Sequence, residues 1–257
     1  MSQLVDRTIT ALRAEHDDLA GLVRTLTDDQ LAAIGGAAEW TVAQTLSHLG
    51  SGAEIGRAPI ARAAGERVEA EENQTIWARW DASEPRAQAE GFLEYNSRWL
   101  DTVEALTAEQ RTSLTVDLGF LPEPVSLETA LGMRLSEVAN HSWDVRVAFD
   151  PDAEVAANSA AVLVELLTGP VGFLLGFLAK PAELPSPASI AIPGGGLVVS
   201  DSVSLVPDLE SPSATFSGSA AAFVRLVSGR LKAPYDKGID VAGNVTLDEL
   251  RRVFPGF

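Results

Sequence analysis

The chain has 257 residues, with 36 acidic side chains against 19 Lys and Arg, a formal net charge of −17 and 46% apolar content. Affinity for a phosphate backbone comes from clustered Lys and Arg, so this balance argues against a nucleic-acid partner, and the apolar fraction separates the chain from disordered sequences. With no cysteine, it supplies no disulfide, thiolate zinc ligand, iron–sulfur ligation or cysteine nucleophile of its own.

Met1 to Arg7 contains no basic stretch followed by an apolar run, so no secretory signal is expected and the cytoplasm is the default location. Leu4, Ile9, Leu12, Leu19, Leu22, Val23 and Leu26 recur at three- and four-residue intervals and predict a helix from Gln3 to Leu26. A second helix opens at Trp40-Thr41-Val42-Ala43, with Thr41 as N-cap, and runs through Leu46, Leu49 and Ile55 towards Pro59 or a few turns beyond. A third spans Glu84 to Leu106, and a fourth begins at Ser126 and ends near Phe149, before Asp150-Pro151. Four long helices predict a bundle over residues 1–150.

From 151 to 257 the pattern changes to a small α+β domain. An apolar helix from Asn158 to Ala179 includes the stretch Leu166–Ala179, which Gly169-Pro170 interrupts and which is shorter than the ~20 residues of a membrane span, so it reads as buried. The proline-rich loop Lys180–Pro187 follows. Ile190–Ile192 and Leu197–Val199 flank Pro193-Gly194-Gly195-Gly196 as a hairpin, with the glycines as turn residues and no phosphate-cradling context around them. Val203–Val206 and Ala214–Phe216 read as strands, Ser219–Leu231 as an amphipathic helix, Ile239–Val241 as a strand and Leu247–Val253 as a terminal helix.

The chain has three histidines. His16, among Glu15, Asp17 and Asp18, reads as exposed and structural. His48 shares a helix face with Thr41, Thr45 and Gly52, and read alone it is an ordinary hydrogen-bonded histidine at the edge of the core. On the fourth helix Arg134, Glu137, His141 and Asp144 fall within an arc of roughly 80°, beside the apolar stripe Leu131, Leu135, Val138, Val145 and Phe149. Glu137 and His141 have the i, i+4 spacing at which two side chains converge on one metal ion. The same four residues also suit a ladder of ion pairs on a solvated face, and the spacing by itself leaves both readings open.

Glu39-Trp40-Thr41-Val42-Ala43-Gln44-Thr45-Leu46-Ser47-His48-Leu49 resembles a W-T-V…H-L signature of the mycothiol-dependent maleylpyruvate isomerase family, within the DinB-like bundle superfamily. Arg134 to Val145 is similar to that family's second signature, E-x-x-x-H-x-W-D. Phe223 to Leu231 and the ending Val253-Phe254-Pro255-Gly256-Phe257 resemble its small C-terminal, sterol-carrier-like α+β domain. The resemblance implies a DinB-like four-helix bundle, with His48, Glu137 and His141 binding a divalent metal, usually zinc. It also implies catalysis that uses mycothiol as an exogenous thiol, by cis–trans isomerisation or by thiol transfer to a small electrophile such as maleylpyruvate.

Arg134 and Asp144 are then candidates for orienting a ligand or balancing charge at the catalytic centre. Arg230, and after it Arg225, are candidates for holding the acidic thiol or a carboxylate substrate, although each also suits a solvated helix. Two rivals remain: a different metal-centred reaction such as hydrolysis or carbonyl activation, and a non-enzymatic module that binds a small apolar ligand. Trp77, Trp80, Trp99 and Trp143, with Phe92 and Tyr95, suit either a substrate cleft or plain core. The net negative charge repels acidic substrates unless Arg79, Arg98 or Arg134 reverses the local field. No membrane partner is expected, and a monomer and a homodimer are equally compatible with the sequence.

Overall fold

The computed structural model describes residues 3–37, 39–69 and 71–256. Phe257, the last residue of the C-terminal signature, and Met1-Ser2 lie outside the described residues. The chain folds as two compact units, Met1–Ala153 and Glu154–Phe257.

In the first unit the helices are α1 (Gln3–Val23), α2 (Asp28–Leu31), α3 (Val42–Ala63), α4 (Asn73–Asp81), α5 (Pro85–Glu104), α6 (Ala108–Ser113) and α7 (Leu127–Arg146). Two-residue strands β1 (Thr115–Val116) and β2 (Val125–Ser126) pair antiparallel just before α7. The four long helices α1, α3, α5 and α7 pack on one another and correspond to the four predicted from periodicity. Local chemistry sets their starts. The Thr41 side chain accepts from the Gln44 amide while Gln44 reaches back to the Thr41 amide, a capping box that fixes the first turn of α3. Ser126 caps α7 through the Thr129 amide. Pro59 lies inside α3, which continues past it to Ala63.

The core of this unit includes Leu12, Leu19, Leu46, Leu49, Phe92, Leu100, Leu131 and Leu135, each at most 2% exposed. Trp80, Trp99, Trp143 and Phe92 are buried as well. These four aromatics are therefore core packing and not the lining of a cleft, because each sits on its helix's inward face. Trp77, by contrast, is 48% exposed.

The second unit opens with α8 (Ala157–Thr168), a single 3-10 turn (Gly172–Leu174) and α9 (Leu175–Leu178). The predicted continuous helix to Ala179 is thus broken. Gly169 adopts φ −125°, ψ −115° and Pro170 follows it, so the two segments meet at 84°. Phe173 and Phe177 in this stretch are exposed, contrary to the buried reading. No single helix among the described residues is long and apolar enough to cross a membrane.

Strands β3 (Ala188–Ile192), β4 (Gly195–Val199), β5 (Val203–Val206), β6 (Ala214–Phe216) and β7 (Val241–Gly243) form one sheet in the order β5-β4-β3-β6-β7. All neighbours are antiparallel except β3 and β6. The β3–β4 hairpin turns at Pro193-Gly194, where Gly194 has φ +87°, a combination that suits a type II turn. Ile190 faces Leu197 across the pair and both are fully buried. Helix α10 (Ala220–Val227) packs against α8, and α11 (Leu247–Val253) closes the described chain.

Candidate metal centre

His48 lies in the second turn of α3, and Glu137 and His141 lie one turn apart on α7. The pairing of the two helices brings the three side chains together across 89 positions of sequence. His48 Nε2 is 2.8 Å from Glu137 Oε2, and His141 Nε2 is 3.6 Å from the same oxygen. One donor atom from each residue lies within 4.8 Å of the other two. Around a tetrahedral ion with bonds of ~2.0–2.2 Å, donor atoms sit roughly 3.3–3.6 Å apart. The His141–Glu137 separation already has that value, and the His48–Glu137 contact needs to open by under about 1 Å.

The donor chemistry also fits a metal. His141 Nδ1 is 2.8 Å from Asp144 Oδ2, and Asp144 is completely buried. A carboxylate on the far nitrogen fixes the ring's tautomer and turns Nε2 towards the other ligands, the usual support for a metal-binding imidazole. The loop before α3 encloses this carboxylate. The Gly36 amide donates to Asp144 O at 2.8 Å, and a Cβ on Gly36 would stand 2.8 Å from Asp144 Oδ1 and 2.7 Å from the Trp143 ring. This face is solvated only in part: the His141 and Asp144 side chains are 14% and 0% exposed, whereas Glu137 is 53% exposed.

Desolvation acts to raise the Glu137 pKa, although its side chain is 53% exposed, but the hydrogen bond with His48 and the electrostatics of His141, His48 and Arg134 outweigh it and hold the carboxyl at about 2. It is thus ionised throughout the neutral range. Burial lowers the Arg134 guanidinium to about 10, against the opposing pull of Glu137. Arg134 does not ion-pair with Glu137 directly. Its Nη2 donates to Leu49 O and to Asn96 Oδ1, both at 2.8 Å, and its guanidinium lies 5.7 Å from the Trp99 ring. Gly52 leaves the room for it, since a Cβ there would stand 3.0 Å from Arg134 Nη1.

Asn96 also holds His16 Nδ1 at 2.9 Å, so His16 is a buried member of this network and not the exposed residue its acidic neighbours suggested. It occupies the inward face of α1 between Leu12 and Leu19. Burial, followed by the charge of Arg13, lowers its pKa.

Arg79 is bound to Glu54 and Glu71, and Arg98 to Glu94 at 2.6 Å, so the positive charge of both is already offset. A cavity of about 450 Å³ lined by Glu54, Ile55, Tyr95 and Arg98, among others, includes none of the three donors. In the second unit Arg225 is 2% exposed, and its guanidinium donates to Tyr235 O at 2.7 Å and Glu154 Oε1 at 2.8 Å. It is not the solvated helix residue its sequence position allowed. Arg230 follows α10, half-buried, with Nη1 donating to Ser228 O at 3.2 Å.

The sequence places Trp40 at the opening of a helix and in the W-T-V…H-L signature, and assigns it no role at the site. In the structure its ring centroid is 5.2 Å from that of His48 and 5.9 Å from that of His141, nearly parallel to the latter at 22°. No periodicity signals this contact, because Trp40 precedes the first turn of α3.

A family model described as the mycothiol maleylpyruvate isomerase N-terminal domain matches residues 12–146. A crystal structure of the mycothiol-dependent maleylpyruvate isomerase is similar to this chain with a TM-score of 0.61 at 17% identity, covering 95% of this chain and 98% of that one. A histidine-to-alanine mutant of the mycothiol-dependent maleylpyruvate isomerase has a TM-score of 0.63 at the same identity and coverage. Among curated proteins no sequence matches the chain.

Proposed function

Because the chain belongs to the mycothiol maleylpyruvate isomerase N-terminal domain family and is an enzyme of that type, we propose that His48, Glu137 and His141 hold a zinc ion for thiol chemistry on a small unsaturated electrophile. The thiol is mycothiol and the electrophile is of the maleylpyruvate kind. The convergence of two imidazoles and one ionised carboxylate from two helices is the observation that carries this reading. Zinc in such a set supplies a Lewis acid with an open position and lowers the pKa of a thiol bound there.

The chain's own residues prepare the site. Asp144 takes the Nδ1 proton side of His141 and leaves Nε2 with its lone pair towards the other two donors. Glu137 contributes negative charge without needing to lose a proton at neutral pH. Arg134, held by Leu49 and Asn96, offsets part of that charge from one turn away on α7. A chain without cysteine requires the thiol to come from outside. In an isomerisation the thiolate sulfur would bond to one alkene carbon while the π pair moves onto the conjugated carbonyl as an enolate, the resulting C–C single bond would rotate, and return of that pair would expel the same thiolate and restore the alkene in the trans form. The thiol is then recycled, and we assign Arg230 to holding the acidic thiol or the substrate carboxylate.

Elemental analysis of the purified protein tests the reading, followed by mycothiol titration with and without a chelator. About one zinc per chain and thiol binding lost on chelation are expected. His48→Ala and His141→Ala are expected to lose the metal while keeping the helical circular-dichroism spectrum. Full metal occupancy in both variants would overturn the assignment.

A further inference from the structure

We propose that Trp40 is the substrate-facing wall of the metal centre. In this role its exposed indole surface packs against the flat, conjugated body of an unsaturated carboxylate or carbonyl compound, and its N–H donates to one of that compound's oxygens. The proposal rests on the metal reading above and names a residue that reading does not use.

Trp40 is 38% exposed, one of the few large apolar side chains outside the core. An indole left at the surface is unremarkable alone, but this one lies against both imidazoles of the donor set. It stacks near-parallel on His141 and tilts against His48, and what remains exposed of it lies beside the donor set, where three protein ligands would leave a fourth position for a bound molecule. Its backbone is pinned. The Trp40 amide donates to Ala37 O at 2.7 Å, the Gly35 amide donates to Trp40 O at 3.3 Å, and Ile34 and Thr41 form an antiparallel bridge. The Thr41 capping box then locks the next residue to α3.

These bonds fix the Trp40 backbone, and the contacts with both imidazoles set where its ring lies. Among the described residues the indole N–H makes no hydrogen bond, so it remains able to donate to a bound molecule. A rigid aromatic plane with an available donor beside a Lewis-acid site suits a planar, oxygen-bearing ligand better than a saturated, puckered one.

The test uses the zinc-loaded enzyme and its Trp40→Phe and Trp40→Leu variants. Phe keeps the aromatic plane and loses the donor, whereas Leu loses both. The probes are maleate, which is planar and unsaturated, and succinate, which is saturated. Their binding is read as competitive inhibition and as quenching of tryptophan fluorescence.

Stacking and one hydrogen bond are each worth about 2- to 12-fold in affinity. We expect maleate to bind wild type more tightly than succinate. Trp40→Phe should weaken maleate by about 2- to 12-fold and keep the preference. Trp40→Leu should remove the preference, with zinc content unchanged in both variants, and the quench by maleate should be lost in Trp40→Phe.

Maleate affinity equal to wild type in a zinc-loaded Trp40→Leu protein overturns the proposal. So does loss of zinc from Trp40→Phe, which would reduce Trp40 to a support for the ligands. A wild-type protein that holds no zinc refutes the metal reading itself and is recognised by elemental analysis alone.

Discussion

Substituting Asp144 tests whether the α7 stripe is built for a metal. Its Oδ2 lies 2.8 Å from His141 Nδ1, and the side chain is fully buried, so solvent does not screen the contact. Removing such a support lowers metal affinity by roughly 10- to 100-fold, or about 1.4–2.7 kcal/mol. The two available substitutions should divide that range. Asparagine keeps the volume and an accepting oxygen but loses the charge, and an ionic hydrogen bond is about twice as strong as a neutral one. Asp144→Asn is therefore expected near the 10-fold end, and Asp144→Ala, which leaves Nδ1 without this acceptor, near the 100-fold end.

The Gly36 amide bonds to the Asp144 backbone oxygen and is untouched by either change, so the loop that grips α7 keeps that anchor. The assay is zinc competition against a chromophoric chelator at neutral pH, with far-ultraviolet circular dichroism as a check on folding. Folded Asp144→Ala protein with wild-type zinc affinity would refute the reasoning.

Three further outcomes follow from the same geometry. His16 has a folded-state pKa below its ordinary value, mainly because it is buried, so the unfolded chain takes up the proton first as pH falls. Its contribution to stability is fully present above about pH 6.5 and is lost as pH falls towards the depressed folded value; urea midpoints at several pH values should show a component of acid sensitivity that His16→Gln removes. Gly36→Ala puts a Cβ within 3 Å of Trp143, Asp144 and Val147 and should cost about 1–3 kcal/mol in urea unfolding, together with weaker zinc binding; an unchanged midpoint would contradict the close approach. Arg225→Ala breaks a buried, hydrogen-bonded guanidinium and should lower the melting temperature, whereas Arg230→Ala should raise the KM for mycothiol with little change in melting, and the reverse pattern would exchange the two roles.

Much of the fold was legible in the sequence because it depends on local rules. Three- and four-residue spacing of apolar side chains is sufficient to identify α1, α3, α5 and α7. Thr41 and Ser126 mark two of their starts, since a side-chain oxygen can satisfy the first amides of a helix wherever that helix packs. Pro193-Gly194 and the alternating residues around it likewise announce the β3–β4 hairpin.

Other features had weak or misleading local signals. Helix α4 buries only Ile76 and Trp80 and its N-cap makes no side-chain bond, so neither periodicity nor capping reveals it. The inward position of His16 was readable from Leu12 and Leu19 at i−4 and i+3, but its acidic neighbours suggested the opposite. Gly169-Pro170 was visible as an interruption, yet the size of the bend depends on how the two helical segments pack.

Glu137 and His141 share a helix face by arithmetic alone, and that arithmetic cannot separate a metal pair from an ion pair. His48 entered the ligand set only through the family resemblance, Trp40 stood in the same signature without a role, and the contacts of Asn96 and Gly36 had no sequence signal. Backbone periodicity acts over a few residues and is written directly in the sequence. The candidate site depends instead on which faces α3 and α7 turn towards each other and on a loop closing over Asp144, and burial of the whole apolar core decides both.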